Sequence, residues 1–139
     1  MPAHKPFIDT NIFLYLLSED SEKADRAEQI VRAGGRISVQ VLNEFANTAR
    51  RKLVMSWGEI NEALDLIRSL CPVDSLTVET HEQGLMVAAQ YKLSIYDSMI
   101  IAAALLGECD VLYSEDMQDG LLIDRQLRVY NPFSNQAAH

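Results

Sequence analysis

Short apolar runs alternate with longer segments of helical periodicity along almost the whole chain. The clearest short runs cover residues 5–8, 36–39, 110–114 and 127–130, and between them apolar residues recur every three or four positions. This alternation is typical of parallel strands joined by helices that cover both faces of the sheet. The sequence therefore predicts an α/β fold with a short central parallel sheet of about four to five strands.

The chain length and composition predict one domain. A length of 139 residues is enough for one domain with its own core, and 48% apolar and 23% charged residues are typical of a globular protein. No repeat, low-complexity stretch or linker divides the chain. We predict a single domain over residues 1–139, with a frayed tail from Asn131 to His139.

The chain has few features that would direct it to a membrane or out of the cell. No apolar run approaches the roughly 20 residues of a membrane span, and the first residues lead into a strand without the apolar core of a signal peptide. Cys71 and Cys109 do not form a C-x-x-C pair and are interpreted as reduced, structural thiols. We therefore expect a cytoplasmic protein with no membrane partner.

Six helices are predicted from apolar periodicity and from residues that cap or stop a helix. Ser21 and Ser56 are expected to cap the second and fourth helices. Asp97 is expected to cap the sixth, Met99 to Leu106, which is apolar enough to be buried on several faces. Segment 76–78 fits a strand end or the approach to a helix equally well.

Four acidic residues, far apart in sequence, are predicted to come together. Asp9 and Asp116 each follow a short apolar run. Asp97 begins the most apolar helix, and Glu44 lies on the flank of an apolar helix face. Acids at the carboxyl ends of parallel strands converge on one crevice. Because like charges repel each other, such a cluster requires a cation, and oxygen ligands with room for water suit Mg²⁺ or Mn²⁺.

Each of these acids also has a purely structural explanation. Asp9, Asp97 and Asp116 stand at plausible helix N-termini, where an aspartate contributes about 1 kcal/mol by accepting backbone N–H bonds. Glu44 could have an arginine or lysine partner, because an unpaired glutamate beside a buried face is costly. Their joint occurrence favours a site for one or two ions, which clamp the attacking and leaving oxygens of a displacement at phosphorus.

Polar neighbours are predicted to support this site, and a basic cluster to contact its substrate. Thr10, Asn11 and Ser114 can hold water or orient the carboxylates. A formal charge of −8 argues against binding nucleic acid through overall charge, so cations at the rim would be needed. The cluster Arg50-Arg51-Lys52 follows the Glu44 helix and could contact the phosphates of a nucleic acid, stabilise the helix C-terminus through its dipole, or do both.

Other chemistries have less support in the sequence. The three histidines, His4, His81 and His139, are scattered, which argues against a zinc site or a serine–histidine triad. No glycine-rich phosphate loop is present, because Gly34-Gly35 is typical of a helix stop. A dehalogenase-like phosphatase would require a second aspartate two positions after the first, where this chain has Asn11. The pattern indicates a metal-dependent phosphodiester hydrolase.

Four segments that contain the acids occur in a recognisable order and spacing. They are FIDTNIF at 7–13, VLNEF at 41–45, YDSMIIAAA at 96–104 and LYSEDM at 112–117. In these segments the chain resembles the PIN-domain ribonucleases, and in particular the VapC-type toxins of toxin–antitoxin pairs. The segments are individually common, but together they span nearly the whole chain and are specific.

The resemblance implies that Asp9, Glu44, Asp97 and Asp116 are the catalytic, metal-binding acids, supported by Ser114 where the family commonly has threonine. It also implies an Mg²⁺- or Mn²⁺-dependent endoribonuclease that cuts single-stranded or looped RNA with a metal-activated water. Such proteins usually dimerise, and a cognate antitoxin protein silences them by filling the acidic groove.

Three questions stay open at this point. Asp119 follows Asp116 by three positions and either supplements it or begins the next turn. The wide apolar faces of helices 60–70 and 85–91 fit a homodimer or simple packing on the sheet. Alternative functions are a catalytically silent PIN-like binding domain and a Mg²⁺-dependent phosphatase acting on small molecules.

Overall fold

The computed structural model describes residues 4–134, so the predicted frayed tail lies outside the described residues from position 135 onward. In this part of the chain, three pairs of helices each follow a short strand, and three further strands end the domain. The helices are α1 (Thr10–Tyr15), α2 (Ser21–Ala33), α3 (Val39–Arg51), α4 (Trp57–Leu70), α5 (Val78–Tyr91) and α6 (Ile95–Leu106). The strands are β1 (Pro6–Ile8), β2 (Ile37–Ser38), β3 (Val73–Asp74), β4 (Val111–Tyr113), β5 (Leu122–Ile123) and β6 (Leu127–Tyr130).

The central sheet has four strands in the order β1-β4-β6-β5. β1, β4 and β6 are parallel to one another, and β5 pairs antiparallel with β6 at the edge. β2 and β3 form a separate parallel pair that a bridge between Phe7 and Arg36 links to β1. The predicted α/β fold with a short central parallel sheet and helices on both faces is confirmed. β3 and β5 were not predicted from the sequence.

The core lies between the sheet and the helices, and α6 is its most buried helix. Ile101, Ala102 and Ala104 are inaccessible to solvent, as predicted for a helix buried on several faces. α6 packs mainly against α5 and also contacts α3 and β2. Gly84 of α5 permits this close packing, because a Cβ there would approach Met99 Cε within 2.7 Å.

The starts of α2 and α6 differ from the prediction, and the start of α5 decides between two predicted alternatives. Asp20, not Ser21, caps α2 by accepting hydrogen bonds from backbone N–H groups of the first turn. Ser94, not Asp97, caps α6: its Oγ accepts the Asp97 N–H at 3.1 Å. The helix therefore begins two residues before Asp97, which lies in its first turn. Thr77 caps α5, so segment 76–78 is the approach to a helix. No helix within residues 4–134 is long and apolar enough to cross a membrane.

Candidate metal and catalytic site

Asp9 lies where β1 ends and α1 begins, and the pairing of β1 with β4 places Ser114 beside it. Ile8 is in register with Tyr113, and the Asp9 N–H donates to the Tyr113 carbonyl at 3.0 Å. The Ser114 hydroxyl donates to Asp9 Oδ2 at 2.8 Å, and the Thr10 N–H donates to Asp9 Oδ1 at 2.7 Å. Both carboxylate oxygens of the buried Asp9 are thus held by neutral donors.

Glu44 is connected to Asp9 through Thr10. The Thr10 hydroxyl donates to Glu44 Oε2 at 3.3 Å, while its own backbone N–H donates to Asp9. Glu44 is half-buried on α3, and Thr10 is buried at the start of α1. The first turn of α1 therefore positions two acids that are 35 residues apart in the chain.

Asp97 and Asp116 complete the cluster from α6 and from the loop after β4. Asp97 is half-buried, whereas Asp116 is exposed and begins no helix, so the alternative role considered for Asp116 as a helix cap does not apply. The Ser114 Oγ accepts the Asp116 backbone N–H at 3.3 Å while it donates to Asp9. One serine hydroxyl therefore links the Asp9 carboxylate to the backbone of Asp116.

Burial and the charges of neighbouring acids raise the pKa of Asp9. Burial raises the pKa of Asp9 to about 6, against the opposing hydrogen bonds from Ser114 and Thr10, and the charges of Asp116 and Asp97 raise it further. The raised pKa indicates that no nearby cation offsets the cost of burying this carboxylate in the described part of the chain.

Two further acids show the same effect. Burial and then the charge of Asp9 raise the pKa of Glu44 to about 7. Burial and then the charge of Asp116 raise the pKa of Asp97. Between residues 4 and 134, none of the four acids lies within 4.0 Å of a lysine, arginine or histidine nitrogen. The basic partner considered for Glu44 is therefore absent from the described residues.

The carboxylate oxygens of the four acids are suitable ligands for a hydrated divalent cation. No three Asp, Glu, His or Cys side chains of the described residues are grouped closely enough to form a complete ligand set. Mg²⁺ does not require one, because it keeps several waters and is usually bound through one or two carboxylates plus substrate phosphate oxygens. Asp9 oxygens each accept one hydrogen bond from these neighbours and retain capacity for another partner.

Asn11 and Asp119 stabilise the loop that follows β4. Asn11 Oδ1 accepts the Glu115 N–H at 3.4 Å, which ties α1 to that loop, and Asn11 Nδ2 is buried without a protein partner within the described residues. Asp119 Oδ1 accepts the Asn131 N–H at 2.9 Å. This bond gives Asp119 a structural use and leaves Asp116 as the acid bonded through its backbone to Ser114.

The basic cluster 50–52 divides into two kinds of residue. Arg50 Nη1 donates to the Met55 carbonyl at 3.0 Å, and its guanidinium lies 5.0 Å from the centre of the Trp57 ring. Arg51 and Lys52 are exposed. Arg50 therefore fastens the end of α3, whereas its two neighbours are accessible to a ligand.

Sequence reasoning missed a set of uncharged polar residues beside the acids. Gln40, Asn43 and Asn47 of α3, together with Glu44 and Tyr96, line a cavity of about 330 Å³. Their spacing on α3 was the available signal, because positions i, i+3, i+4 and i+7 share one face of a helix.

Comparison with known proteins places the fold. The family model described as the PIN domain matches residues 7–118. A toxin–antitoxin complex from Klebsiella pneumoniae contains a chain with 21% identity and a TM-score of 0.70, over 93% of this chain and 98% of that one. VapBC2 from Rickettsia felis, bound to a promoter DNA fragment, gives 14% identity and a TM-score of 0.66, over 91% and 98%.

A third solved structure is similar over a smaller part of the chain. VapC20 from Mycobacterium tuberculosis, described as a sarcin–ricin loop cleaving toxin, gives 16% identity and a TM-score of 0.67, over 81% of this chain and 90% of that one. No curated protein matches in sequence. The match to more than half of the chain shows that this protein belongs to the PIN domain family, with the fold found in toxin–antitoxin structures.

Proposed function

We propose that residues 1–139 form one nuclease domain, an Mg²⁺- or Mn²⁺-dependent endoribonuclease that acts as the toxin of a type II toxin–antitoxin pair. The supporting observation is a cluster of mutually repelling acids, without a basic partner in the described residues, in a chain of the PIN family. A cluster of this kind is stabilised by a divalent cation, and the cation suits hydrolysis of a phosphodiester.

In this proposal Asp9, Glu44, Asp97 and Asp116 hold one or two ions. The bound metal supplies charge neutralisation and lowers the pKa of water to a range useful at neutral pH. The chain's own part is to fix the acids: Ser114 orients Asp9, and the Thr10 hydroxyl orients Glu44. In the reaction, a water oxygen bonds to phosphorus and the water gives up one proton, while the bond from phosphorus to the leaving ribose oxygen breaks and that oxygen takes up a proton.

RNA is the proposed substrate for two reasons. VapC20, a structural neighbour, is described as cleaving the sarcin–ricin loop, which is RNA. The exposed Arg51 and Lys52 offer positive charge outside the acidic site, and Arg50 is a further candidate at the same helix end. Together they could hold the phosphate backbone while the acids act on one phosphate.

A protein antitoxin and a second copy of the chain are the proposed partners. The Klebsiella and Rickettsia neighbours are toxin–antitoxin complexes, which supports an antitoxin. Leu66 and Leu70 of α4 are exposed and line one surface cavity together with the exposed Leu17, and Met86 of α5 is also exposed. A contiguous exposed apolar surface favours a protein interface. Light scattering should show a dimer at micromolar concentration; a monomer would contradict the dimer and leave the catalytic proposal standing.

One assay tests the function. Purified protein is incubated with Mn²⁺ or Mg²⁺ and end-labelled RNA, with a small phosphomonoester in parallel and EDTA as a control. We expect metal-dependent RNA cleavage, without cyclic phosphate ends because water is the nucleophile. Asp116→Asn should abolish cleavage, and the matched Asp119→Asn should retain it. Cleavage that survives both Asp97→Ala and Asp116→Ala would locate the activity elsewhere.

The same assay decides between this proposal and its alternatives. A catalytically silent binding domain is favoured by one observation, the absence of a complete ligand set within residues 4–134. It would bind RNA or a protein but cut no RNA with any metal. Hydrolysis of the phosphomonoester with intact RNA would indicate a phosphatase.

A further inference from the structure

The cavity beside the acid cluster has a composition different from that of the cluster itself. Four of its lining residues share one face of α3, and Tyr96 of α6 also lines it; the four are Gln40, Asn43, Glu44 and Asn47. Glu44 belongs to both the cavity and the acid cluster. Tyr96 directly precedes Asp97 in the first turn of α6. A ligand in the cavity is therefore adjacent to the acids.

The side chains that line the cavity specify an uncharged ligand with hydrogen-bonding edges. Each amide offers both a carbonyl acceptor and an NH₂ donor. Among residues 4–134, Glu44 is the only charged residue that lines the cavity, so a phosphate group would meet an acid and no lysine or arginine of this part of the chain. Asn43 and Asn47 are exposed, and the Tyr96 side chain is 66% exposed, so their polar groups and the ring are accessible.

The size of the cavity and the Tyr96 ring in its lining restrict the class of ligand further. A volume of about 330 Å³ is near the lower limit for a small-molecule site and suits one planar group better than a peptide segment. Exposed aromatic rings stack on unpaired nucleobases, whose edges amide side chains can read by hydrogen bonds.

We propose that this cavity binds one nucleobase of the RNA, stacked on Tyr96 and read by Asn43 and Asn47. This inference rests on the proposed function, because the base is taken to belong to a nucleotide next to the phosphate at the acid cluster. Gln40 provides a third amide at the same surface. The cavity then sets a base preference beside the cleaved bond and requires an unpaired nucleotide there.

A binding experiment tests the cavity without catalysis. The ¹⁵N-labelled protein is titrated in EDTA with adenosine, guanosine, cytidine and uridine, which have a base and no phosphate. The side-chain amide signals of Asn43 and Asn47 should shift in a saturable way with a preference among the four. The signal of Asn61, an exposed amide on α4, should not shift. No shift with any nucleoside would overturn the proposal.

The contribution of the ring is measured in the same titration. Tyr96→Ala should weaken nucleoside binding about 5-fold or more, since base–aromatic stacking is lost. Tyr96→Phe keeps the ring and should bind within about 2-fold of wild type, because it retains that stacking. Equal binding by the alanine and phenylalanine variants would remove Tyr96 from the site.

A cleavage experiment tests the link to the acid cluster. Cut sites are mapped in a random-sequence RNA pool with Mn²⁺. Asn43→Ala and Asn47→Ala should each reduce discrimination at one position beside the cut by about 3- to 10-fold, the effect of one lost hydrogen bond. Asn61→Ala should leave the profile unchanged. An unaltered profile in the Asn43 and Asn47 variants would overturn the proposal.

The two experiments separate failure of the inference from failure of the proposed function. If the wild type cleaves no RNA but nucleosides shift the Asn43 and Asn47 signals, the ribonuclease proposal is contradicted and the base site remains. If RNA is cleaved and no nucleoside binds, the ribonuclease proposal remains and the base site is contradicted.

Discussion

Asp74 and Asp9 are both acids at the ends of short parallel strands, yet their surroundings differ in one respect. Asp74 ends β3 and receives a two-pronged ion pair from Arg36, with Arg36 Nε 3.1 Å from Asp74 Oδ2. Asp9 follows β1, and the donors that reach it from the described part of the chain are neutral: the Ser114 hydroxyl and the Thr10 N–H. Within residues 4–134, an arginine pairs with Asp74, and no lysine, arginine or histidine pairs with Asp9.

This difference separates an acid used for structure from an acid available to a ligand. The Arg36–Asp74 pair joins the two strands β2 and β3 of the small sheet at their edge, where both charges are neutralised within the chain. Asp9 is buried without such a pair, which raises its pKa to about 6. A buried acid without a charged partner has a free-energy cost that an external cation can offset.

The largest expected effect compares these two acids directly. Asp9→Asn should reduce metal-dependent RNA cleavage by at least about 100-fold, because a proposed metal ligand is lost. Asp74→Asn should leave cleavage within a few-fold and lower the free energy of unfolding by about 1 kcal/mol, because a partly exposed ion pair is lost. Initial cleavage rates and urea melts of both variants provide the measurement. An equal loss of cleavage in the Asp74 variant would contradict the comparison.

A smaller effect is expected in thermal stability. Without metal, Asp97→Asn should raise the melting temperature by a few degrees, about 1 kcal/mol, because it removes a charge from the repelling cluster. Ser94 rather than Asp97 caps α6, so the helix start is unaffected. Melts with EDTA and with millimolar Mn²⁺ should show a smaller metal-induced shift in the variant than in wild type.

Asp65→Asn is the matched control, since it removes an exposed aspartate from α4. It should change neither the apo stability nor the shift caused by Mn²⁺. Equal metal shifts in wild type and Asp97→Asn would exclude Asp97 from the metal site.

The pH dependence of stability should reveal the raised pKa values of Asp9 and Glu44. The pKa values of Asp9 and Glu44 are raised from 3.8 and 4.5 to about 6 and 7, so the folded state holds these protons more tightly than the unfolded state. Their contribution to stability is present below pH 4 and is lost as the pH rises to about 7. Since metal binding displaces these protons, the stabilisation by Mn²⁺ should grow over the same range.

Thermal melts from pH 4.5 to 8, with EDTA and with Mn²⁺, check this expectation. The Asp9→Asn/Glu44→Gln double variant is the reference. The difference between wild type and this variant in the slope of stability against pH is due to these two acids. An apo wild type that gains stability relative to this variant as the pH rises would contradict the assignment.

The smallest expected effect concerns the basic cluster 50–52. In the cleavage-deficient Asp97→Asn background, Arg51→Glu and Lys52→Glu should each reduce the salt dependence of RNA binding by about one phosphate contact. Arg68→Glu reverses a charge at the end of α4 and should have no such effect. Fluorescence anisotropy at several salt concentrations provides the slopes. An unchanged slope would leave the cluster with the helix-dipole role alone.

Local sequence signals were sufficient for the fold class and for the identity of the candidate acids. Helical periodicity and the acid after each apolar run depend on neighbours within a few residues, so they could be read without tertiary information. The Ser56 cap is a local signal of this kind, and it was predicted correctly. The same signals failed where two local caps competed, as at Ser94 and Asp97.

Tertiary structure alone decided how the site is assembled. The Ser114 hydroxyl reaches Asp9 across 105 residues because β1 and β4 pair in a particular register, and Thr10 reaches Glu44 because α1 packs against α3. The bond from the Asn131 N–H to Asp119 Oδ1 likewise became visible only in the folded chain. Propensity and periodicity reflect interactions between near neighbours, whereas strand register and side-chain direction depend on residues that folding brings together.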